Sequence, residues 1–473
     1  MEKIWDLEKY YDNVAIINDS GESVRYSDFG VVSSTFAEHV NNRCLAFLLC
    51  SNTIGSIIGY VSFLNNGIVP ALISSDLDLD LMEKLIHVYK PEIMWVPDNK
   101  SEYFTKHGRK LCGVWGYSLI KFDSDCDDFI FPELCLLLTT SGSTGSPKFV
   151  RQSYINVKSN AEAIKKYLEI DSTERPITTL PMNYTYGLSI INSHLMAGAT
   201  LLVTEKGIMQ KEFWDFFKEY KATSFGGVPY TYEMLNRLRL ERMDLPHLRY
   251  MTQAGGKLTP ELHRKFAQYA RNTGKKFIVM YGQCEATARM GYLPADKSLD
   301  KCGSMGIAIP GGRFWLVDDD GIKIESANVP GELVYEGKNV TLGYAECRGD
   351  LSKGDERGGS LFTGDIATFD DEGYYYIVGR KKRFLKVFGN RVNLDEIERL
   401  VKEKFDNIEF ACAGKDDNIF LFLTDKDFEL EVKKYVVNVT KLNHSAFKTI
   451  VIESIPKNES GKTLYKDLVK YYE

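Results

Sequence analysis

A glycine- and hydroxyl-rich loop between an apolar run and a lysine is the first feature that could do chemistry. The apolar run covers residues 134–138, and the loop after it ends at Lys148 and contains Ser141, Gly142, Ser143, Thr144 and Gly145. Glycine permits the backbone angles that turn successive N–H groups inward, hydroxyls add donors, and lysine adds a positive charge. The loop therefore predicts a polyphosphate site. Its spacing does not match the Walker A motif, and a flexible linker is the alternative for the loop alone.

A second lysine stands near the end of the chain. Gly461-Lys462-Thr463 looks like the end of a Walker A motif, but Pro456 occupies the place of that motif's first glycine. The P-loop reading therefore fails. Taken alone, Lys462 is typical of a solvated surface lysine.

The elements around these loops predict the fold class. Short apolar runs alternate with helical patterns up to about residue 378, which is typical of βαβ units in a mostly parallel sheet. Within this region, residues 211–220 carry an aromatic stripe at helical spacing, which we assign to the core. Residues 313–378 instead show strands separated by tight turns such as 318–321 and 370–373, a pattern typical of an antiparallel sheet.

We therefore predict an α/β protein of two domains. Residues 1–381 form a large N-terminal domain of parallel-sheet α/β subdomains with a small antiparallel β region. The basic segment 379–383 marks the junction, and residues 382–473 form a small, mobile α+β C-terminal domain.

Composition excludes several classes of protein. The chain has 473 residues and a formal charge of −6, which gives no reason to expect a nucleic-acid partner. Nine cysteines form no C-x-x-C pair, and most lie in apolar runs, so we expect buried free thiols and a cytoplasmic location. The first eleven residues carry five charges, which argues against a signal peptide. Residues 44–75 carry no charge, but Asn65-Asn66-Gly67 and Pro70 interrupt them, so we expect no membrane span.

Six short motifs, of which the glycine-rich loop is the first, occur in order along the chain. Together with residues 26–29 near the start, they resemble the adenylate-forming superfamily of acyl-CoA synthetases, adenylation domains of nonribosomal peptide synthetases and luciferases. The resemblance covers nearly the whole chain and is nearest to acyl- or aryl-CoA ligases. The motifs after the loop are 281–285, 331–333, 362–365, 379–380 with 389–391, and 461–462.

The resemblance implies roles for the residues at matching positions. The residues implied to bind ATP or AMP are Ser141, Gly142, Ser143, Thr144, Gly145, Lys148, Gly255, Gly256, Tyr281, Gly282, Gln283, Cys284, Asp365 and Arg380. Within this set, Tyr281 would stack on adenine and Asp365 would accept the ribose hydroxyls. Glu285 would bind Mg²⁺, and Thr144 and Glu285 would act with Lys462 in catalysis.

The implied activity is ATP-dependent activation of a carboxylic acid to an acyl-adenylate, with release of pyrophosphate, and transfer of the acyl group to a thiol. Lys462 would bridge the substrate carboxylate and the α-phosphate, where negative charge develops. Lys382 matches the hinge about which the C-terminal domain alternates, and Gly389 would line the thiol tunnel. Coenzyme A is the first choice of acceptor, and a carrier-protein phosphopantetheine is the alternative.

The acid pocket is implied to contain Tyr184, Tyr186, Gly187, Phe225, Gly226, Val228 and Tyr230. From residue 175 to residue 205, His194 is the only titratable group apart from the two terminal positions and the tyrosines. An amino-acid substrate is disfavoured because its buried ammonium would have no carboxylate partner. An apolar, partly aromatic pocket for an unsubstituted or aromatic acid is expected.

One departure keeps a second class of function open. The superfamily usually has threonine where this chain has Cys284, and a thiol is a weaker donor than a hydroxyl. A catalytically silent nucleotide-binding member of the fold is therefore an alternative to the ligase. A luciferase-like oxygenase is a third alternative, which no residue of the sequence specifically indicates.

Overall fold

The computed structural model describes residues 3–40, 42–122, 128–139, 148–387, 390–405, 408–458, 461 and 463–472. The strands of these residues are Val14–Asn18 (β1), Ser23–Arg25 (β2), Leu45–Cys50 (β3), Val69–Ser74 (β4), Ile93–Pro97 (β5), Gly108–Val114 (β6), Tyr117–Phe122 (β7), Leu134–Thr139 (β8), Phe149–Ser153 (β9), Pro176–Ile177 (β10), Leu201–Val203 (β11), Ser224–Gly227 (β12), Tyr250–Gln253 (β13), Lys276–Tyr281 (β14), Gly291–Tyr292 (β15), Ile307–Ala308 (β16), Gly312–Val317 (β17), Lys323–Ile324 (β18), Gly331–Gly337 (β19), Gly343–Ala345 (β20), Ser360–Phe369 (β21), Tyr375–Arg380 (β22), Phe384–Val387 (β23), Asn390–Asn393 (β24), Phe410–Lys415 (β25), Asn418–Leu423 (β26) and Phe447–Val451 (β27).

The α-helices of the same residues are Tyr26–His39 (α1), Ile54–Asn65 (α2), Leu79–Tyr89 (α3), Asp98–Phe104 (α4), Tyr154–Leu168 (α5), Thr185–Ala197 (α6), Lys211–Glu219 (α7), Pro229–Arg237 (α8), Pro260–Asn272 (α9), Leu394–Lys404 (α10) and Glu429–Thr440 (α11). The α/β class predicted from the sequence is confirmed.

The chain divides into two compact units. The first contains residues 1–314 and 335–361, and the second contains residues 315–334 and 362–473. The predicted domain boundary at residue 381 stays a prediction.

An eight-stranded sheet of the first unit carries the start of the predicted phosphate loop. Its order is β20-β9-β8-β4-β3-β5-β7-β6, and β4 is parallel to both β3 and β8. Leu48 of β3 belongs to one buried cluster, whereas its neighbours Phe47 and Leu49 belong to another. Because successive side chains of a strand point to opposite faces, both faces of this sheet are buried.

A nine-stranded sheet of the first unit brings three loops to one edge. Its order is β16-β15-β14-β13-β12-β10-β11-β1-β2, and β12, β13 and β14 are mutually parallel. The carboxyl ends of parallel strands lie side by side, so the loops after Gly227, Gln253 and Tyr281 meet there. This edge is where ligands bind in open α/β sheets.

The aromatic helix is confirmed as a core element. Phe213, Phe216 and Phe217 of α7 are each at most 4% exposed. Spacing of three and four residues placed them on one face of the helix.

A five-stranded sheet replaces the βαβ pattern after residue 311, as the sequence predicted. The strand order of this sheet is β18-β17-β19-β21-β22, and β21 pairs antiparallel with β22. The predicted turns are present, because Gly321 N–H donates to Asp318 O and Gly373 N–H donates to Asp370 O.

The last part of the second unit has a core of its own. Helices α10 and α11 share a buried cluster with strands β23 to β26, including Val401, Leu421 and Val432. Beside it, the buried Arg383 guanidinium is paired with Asp395 and Glu398.

The cysteines that the structure describes are free thiols. Eight cysteines are described, all of them free, and five are buried. None of the helices in the described ranges has the length and apolar content that crossing a bilayer requires.

Helix α6 is fixed to β13 through a buried histidine. His194 Nδ1 donates to Ile190 O at 2.7 Å, so Nε2 accepts from the Tyr250 hydroxyl at 2.9 Å. Burial, together with the positive charge of Arg289, lowers the pKa of His194 to about 3. The imidazole is therefore neutral in the folded protein.

We expect His194 to make stability depend on pH on the acid side. Between pH 3 and 6.5 the unfolded chain binds a proton at His194 that the folded chain does not, so the free energy of unfolding falls as pH falls below 6.5. Urea unfolding at pH 7 and pH 5 should show that wild type loses about 2 kcal/mol more than His194→Gln over this interval. Equal losses in the two proteins would contradict the assignment.

Candidate active site

The predicted phosphate loop connects two paired strands. Strand β8 ends at Thr139, which pairs antiparallel with Phe149 at the start of β9. Ser141, Gly142, Ser143, Thr144 and Gly145 lie outside the described residues. Both ends of the loop, Thr139 and Lys148, are described, so the position of its base is known.

Lys148 and Glu285 meet on opposite sides of one tyrosine. Lys148 Nζ lies 3.6 Å from the centroid of the Tyr344 ring, and the Tyr344 hydroxyl donates to Glu285 Oε1 at 2.7 Å. Burial and the negative charge of Glu285 raise the pKa of Tyr344 to about 12, so the phenol keeps its proton. A cation and a carboxylate are thereby held at the base of the loop without pairing with each other.

An arginine fixes the backbone beneath this cluster. Arg357 Nη1 donates to Glu285 O at 3.0 Å, and its guanidinium carbon lies 4.9 Å from the Tyr344 ring centroid. Thr341 Oγ1 also donates to Glu285 O. Two hydrogen bonds to its main-chain carbonyl therefore hold Glu285 in place.

The segment after β14 is folded tightly onto itself. A Cβ atom on Gly282 would lie 1.6 Å from Ala288 O, so no side chain fits there. Thr287 and Ala288 both have positive φ, 53° and 88°, which costs non-glycine residues of order 1–3 kcal/mol each. Such strain is retained where the surroundings hold it, and here Asn339 Nδ2 donates to Ala286 O.

Cys284 touches the strand that leads into the loop. Its Sγ lies 3.9 Å from Thr139 O, and its side chain is buried. Gln283 Nε2 donates to the Tyr281 hydroxyl at 3.2 Å, and the Tyr281 ring packs edge-on against Phe314. The motif 281–285 therefore adjoins the base of the loop, as the resemblance implied.

Several predicted acid-pocket residues come together. A Cβ atom on Gly255 would lie 2.7 Å from Tyr184 Oη and 3.1 Å from Val228 Cγ1. The Tyr186 hydroxyl bonds to Thr252 Oγ1 at 2.7 Å, and Gly226 packs against the same ring. Gly187 lies against Pro181 O, where a Cβ atom would clash at 2.2 Å.

Other predicted residues lie elsewhere. Phe225 faces the other side of β12 and packs against Phe217 of α7. Tyr230 is 55% exposed, and Gly256 contacts the Pro229 ring. Phe225 and Tyr230 are thus not brought to the Tyr186 ring, because neighbouring strand residues alternate and the Tyr230 side chain is exposed at the start of α8.

Asp365 and Arg380 of the second unit lie opposite each other on β21 and β22. Arg380 Nε lies 3.3 Å from Asp365 Oδ1, and the Asp365 side chain is 5% exposed. Lys382 is exposed in a single 3₁₀ turn. Gly389 and Lys462 lie outside the described residues, while Gly461 beside Lys462 has a φ of 75°.

Sequence reasoning missed two residues. Tyr344 sits on the edge strand β20, and a lone Gly-Tyr pair has no spacing that signals a role. Arg289 follows the 281–285 motif by four residues and lies outside the uncharged segment 175–205 that argues against an amino-acid substrate.

The cluster fits a magnesium ion with its phosphates. Glu285 uses one oxygen for the Tyr344 hydroxyl, which leaves Oε2 available. No group of three acidic, histidine or cysteine side chains suitable for a metal occurs in the described part of the chain. Mg²⁺ is commonly bound by one or two carboxylates, substrate phosphates and water, so a single carboxylate beside a phosphate loop suits it.

Comparison with known families shows which family the chain belongs to. Residues 5–345, which include the loop and the 281–285 motif, match the AMP-binding enzyme family. The chain belongs to that family. Its curated relatives include an oxalate–CoA ligase of Arabidopsis thaliana, 25% identical over 351 residues, and a long-chain-fatty-acid–CoA ligase of Escherichia coli O157:H7, 28% identical over 356 residues. The matches cover 71% of this AMP-binding enzyme and 67% and 61% of those relatives.

Solved structures share the fold of this AMP-binding enzyme over its full length. ATP-bound MatB from Rhodopseudomonas palustris aligns with a TM-score of 0.79 at 20% identity, over 100% of this chain and 99% of that one. An AMP complex of O-succinylbenzoate coenzyme A synthetase from Bacillus subtilis aligns with a TM-score of 0.77 at 20% identity, over 99% and 98%.

We expect Tyr344→Phe to weaken binding of MgATP. The phenylalanine ring still supports Lys148, but Glu285 loses the hydrogen bond that fixes its carboxylate, and bonds to charged groups contribute about 1.5–3 kcal/mol. Calorimetric titration should show a Kd roughly ten- to a hundredfold higher. Tyr11→Phe, at a 59% exposed tyrosine, is the control. Unchanged affinity in Tyr344→Phe would show that Glu285 needs no such support.

Proposed function

We propose that this AMP-binding enzyme is an acid–thiol ligase. It activates a small carboxylic acid with ATP, releases pyrophosphate and transfers the acyl group to coenzyme A. The observation that carries the proposal is the convergence of Lys148 and Glu285 on Tyr344 at the base of the loop. Family membership and the CoA-ligase names of the relatives support it.

The first half-reaction needs charge on both sides of the triphosphate. Lys148 and the loop donors bind phosphate oxygens, and Glu285 would hold Mg²⁺, whose positive charge would offset that of the phosphates. Lys148 pairs with Glu346 at 3.4 Å, but Glu346 is 66% exposed, so little is lost when phosphate takes its place. Tyr281 stacks on adenine, and the strand edge around Gly255 lines the same site.

The second unit supplies the remaining groups. Asp365 accepts the ribose hydroxyls, and Arg380, 3.3 Å away, contacts ribose near the α-phosphate. Lys462 stabilises the charge that develops as a carboxylate oxygen of the acid bonds to the α-phosphorus and the bond to pyrophosphate breaks.

The second half-reaction uses the C-terminal domain, residues 382–473, in another orientation. We propose that this domain swings about Lys382 and brings Gly389 to a pantetheine thiol. The thiol sulfur bonds to the acyl carbon, the bond to the phosphate oxygen breaks, and AMP leaves. Coenzyme A is the proposed acceptor because the relatives are named as CoA ligases. A carrier protein offers the same arm.

We propose that the protein acts in the cytoplasm. All eight described cysteines are free, which supports the reducing cytoplasm as the site of action.

We expect Lys462→Ala to lower acid-dependent exchange of labelled pyrophosphate into ATP by about two to three powers of ten. Lys457→Ala is the matched control, since Lys457 lies five residues upstream and pairs with Glu409. The control should retain exchange, because an exposed ion pair contributes little.

The same assay separates the ligase from a silent nucleotide-binding protein. Exchange with at least one acid supports the ligase. Tight ATP binding by folded protein without exchange, across acids of varied length and charge, would contradict it. Cys284 beside Thr139 O would then be the first residue to revert to threonine.

A further inference from the structure

Arg289 is a buried cation whose hydrogen-bond partners in the described part of the chain are neutral. Its side chain belongs to a residue that is 2% exposed, and its Nε donates to Ser189 Oγ at 3.1 Å. Its Nη1 donates to the Tyr167 hydroxyl at 3.0 Å and contacts Met280 Sδ at 3.2 Å. Among the residues that the structure describes, we find no carboxylate within ion-pair distance of this guanidinium and no hydrogen-bond partner for Nη2.

The other buried arginines of the described chain are all paired. Arg151 contacts Glu356, Arg348 contacts Glu92, and Arg383 contacts Asp395 and Glu398. A buried charge without a counter-charge is costly, and arginine cannot lose its proton to avoid the cost. Arg289 is therefore built to receive an anion that the described chain does not supply.

Hydrogen bonds from two asparagines fix the backbone at Arg289. Asn160 Nδ2 and Asn339 Nδ2 both donate to Arg289 O, at 2.8 and 3.1 Å. The two residues before it, Thr287 and Ala288, have positive φ. Strain of this kind is found where the conformation serves a ligand or a reaction.

The cation lies beside the predicted acid pocket. Its guanidinium carbon is 5.1 Å from the centroid of the Tyr186 ring, and that ring also packs against Gly226. By contrast, Glu285 and Lys148 share Tyr344, and among the described residues Tyr344 has no contact with the Arg289 side chain. The anion that Arg289 receives is therefore distinct from the phosphates.

We infer that the acid this enzyme activates carries a second carboxylate, which Arg289 binds against Tyr186. The inference rests on the proposed ligase function and names its substrate class. It departs from the expectation of an unsubstituted or aromatic acid, which was drawn from the apolar and aromatic residues of the predicted pocket. A carboxylate suits the site because the planar guanidinium offers parallel N–H donors.

Pairs of acids that differ only in the distal group test the inference. Pyrophosphate exchange is measured with succinate and butyrate, adipate and hexanoate, and terephthalate and benzoate. Wild type should favour the dicarboxylate of at least one pair by tenfold or more. Arg289→Met, which keeps an unbranched side chain without charge, should lower exchange with that dicarboxylate on the order of a hundredfold and remove the preference.

A buried arginine that is already paired serves as the control. Arg348→Met should lower the midpoint of thermal unfolding, because Glu92 loses its partner, and leave the preference unchanged. A wild-type preference for the monocarboxylate in every pair, or a dicarboxylate preference that survives in Arg289→Met, would overturn the inference while leaving the ligase intact.

Binding of the same acids, measured by calorimetry, tests the anion site separately from the ligase activity. If no acid supports exchange but dicarboxylates bind in an Arg289-dependent way, the ligase proposal falls and the anion site stands. If dicarboxylates bind no better than their monocarboxylate partners, the anion site falls as well.

Discussion

The site depends on a neutral tyrosine placed between two opposite charges. Lys148 and Glu285 are the groups that a magnesium-bound triphosphate requires, yet a direct ion pair would occupy both of them. Tyr344 prevents this, because its ring accepts the lysine by a cation–π contact while its hydroxyl donates to the carboxylate. The raised pKa of Tyr344 keeps that donor proton in place. Lys148 and Glu285 therefore do not neutralise each other, and the ion pair of Lys148 with the exposed Glu346 is weak.

This arrangement requires distant parts of the first unit to meet. Lys148 follows the hairpin loop, Glu285 follows β14, and Tyr344 lies on β20, which pairs antiparallel with β9. Register places Tyr344 opposite Val150, two residues beyond Lys148. The eight-stranded sheet therefore sets the distance between Lys148 and Tyr344. The hydrogen bonds that Arg357 and Thr341 donate to Glu285 O fix the position of Glu285.

Much of this could be predicted from the sequence, for identifiable reasons. The fold class follows from hydrophobic period, as in the aromatic stripe of α7, the loop follows from local residue types, and the 281–285 motif follows from the family resemblance. Tyr344 and Arg289 could not be found in this way. Their roles come from strand register and from a strained turn at Thr287 and Ala288, neither of which has a local pattern. Phe225 shows the reverse case, since its type suited a pocket but strand alternation turned it to α7.

The central claim is that Lys148 and Glu285 act on one triphosphate. A double-mutant cycle with Lys148→Ala and Glu285→Gln, measured as the free energy of MgATP binding, tests it directly. Residues that share a ligand and its counter-ion should couple by about 1 kcal/mol or more. Effects that add within about 0.3–0.5 kcal/mol would show that the two residues act independently and would contradict the account.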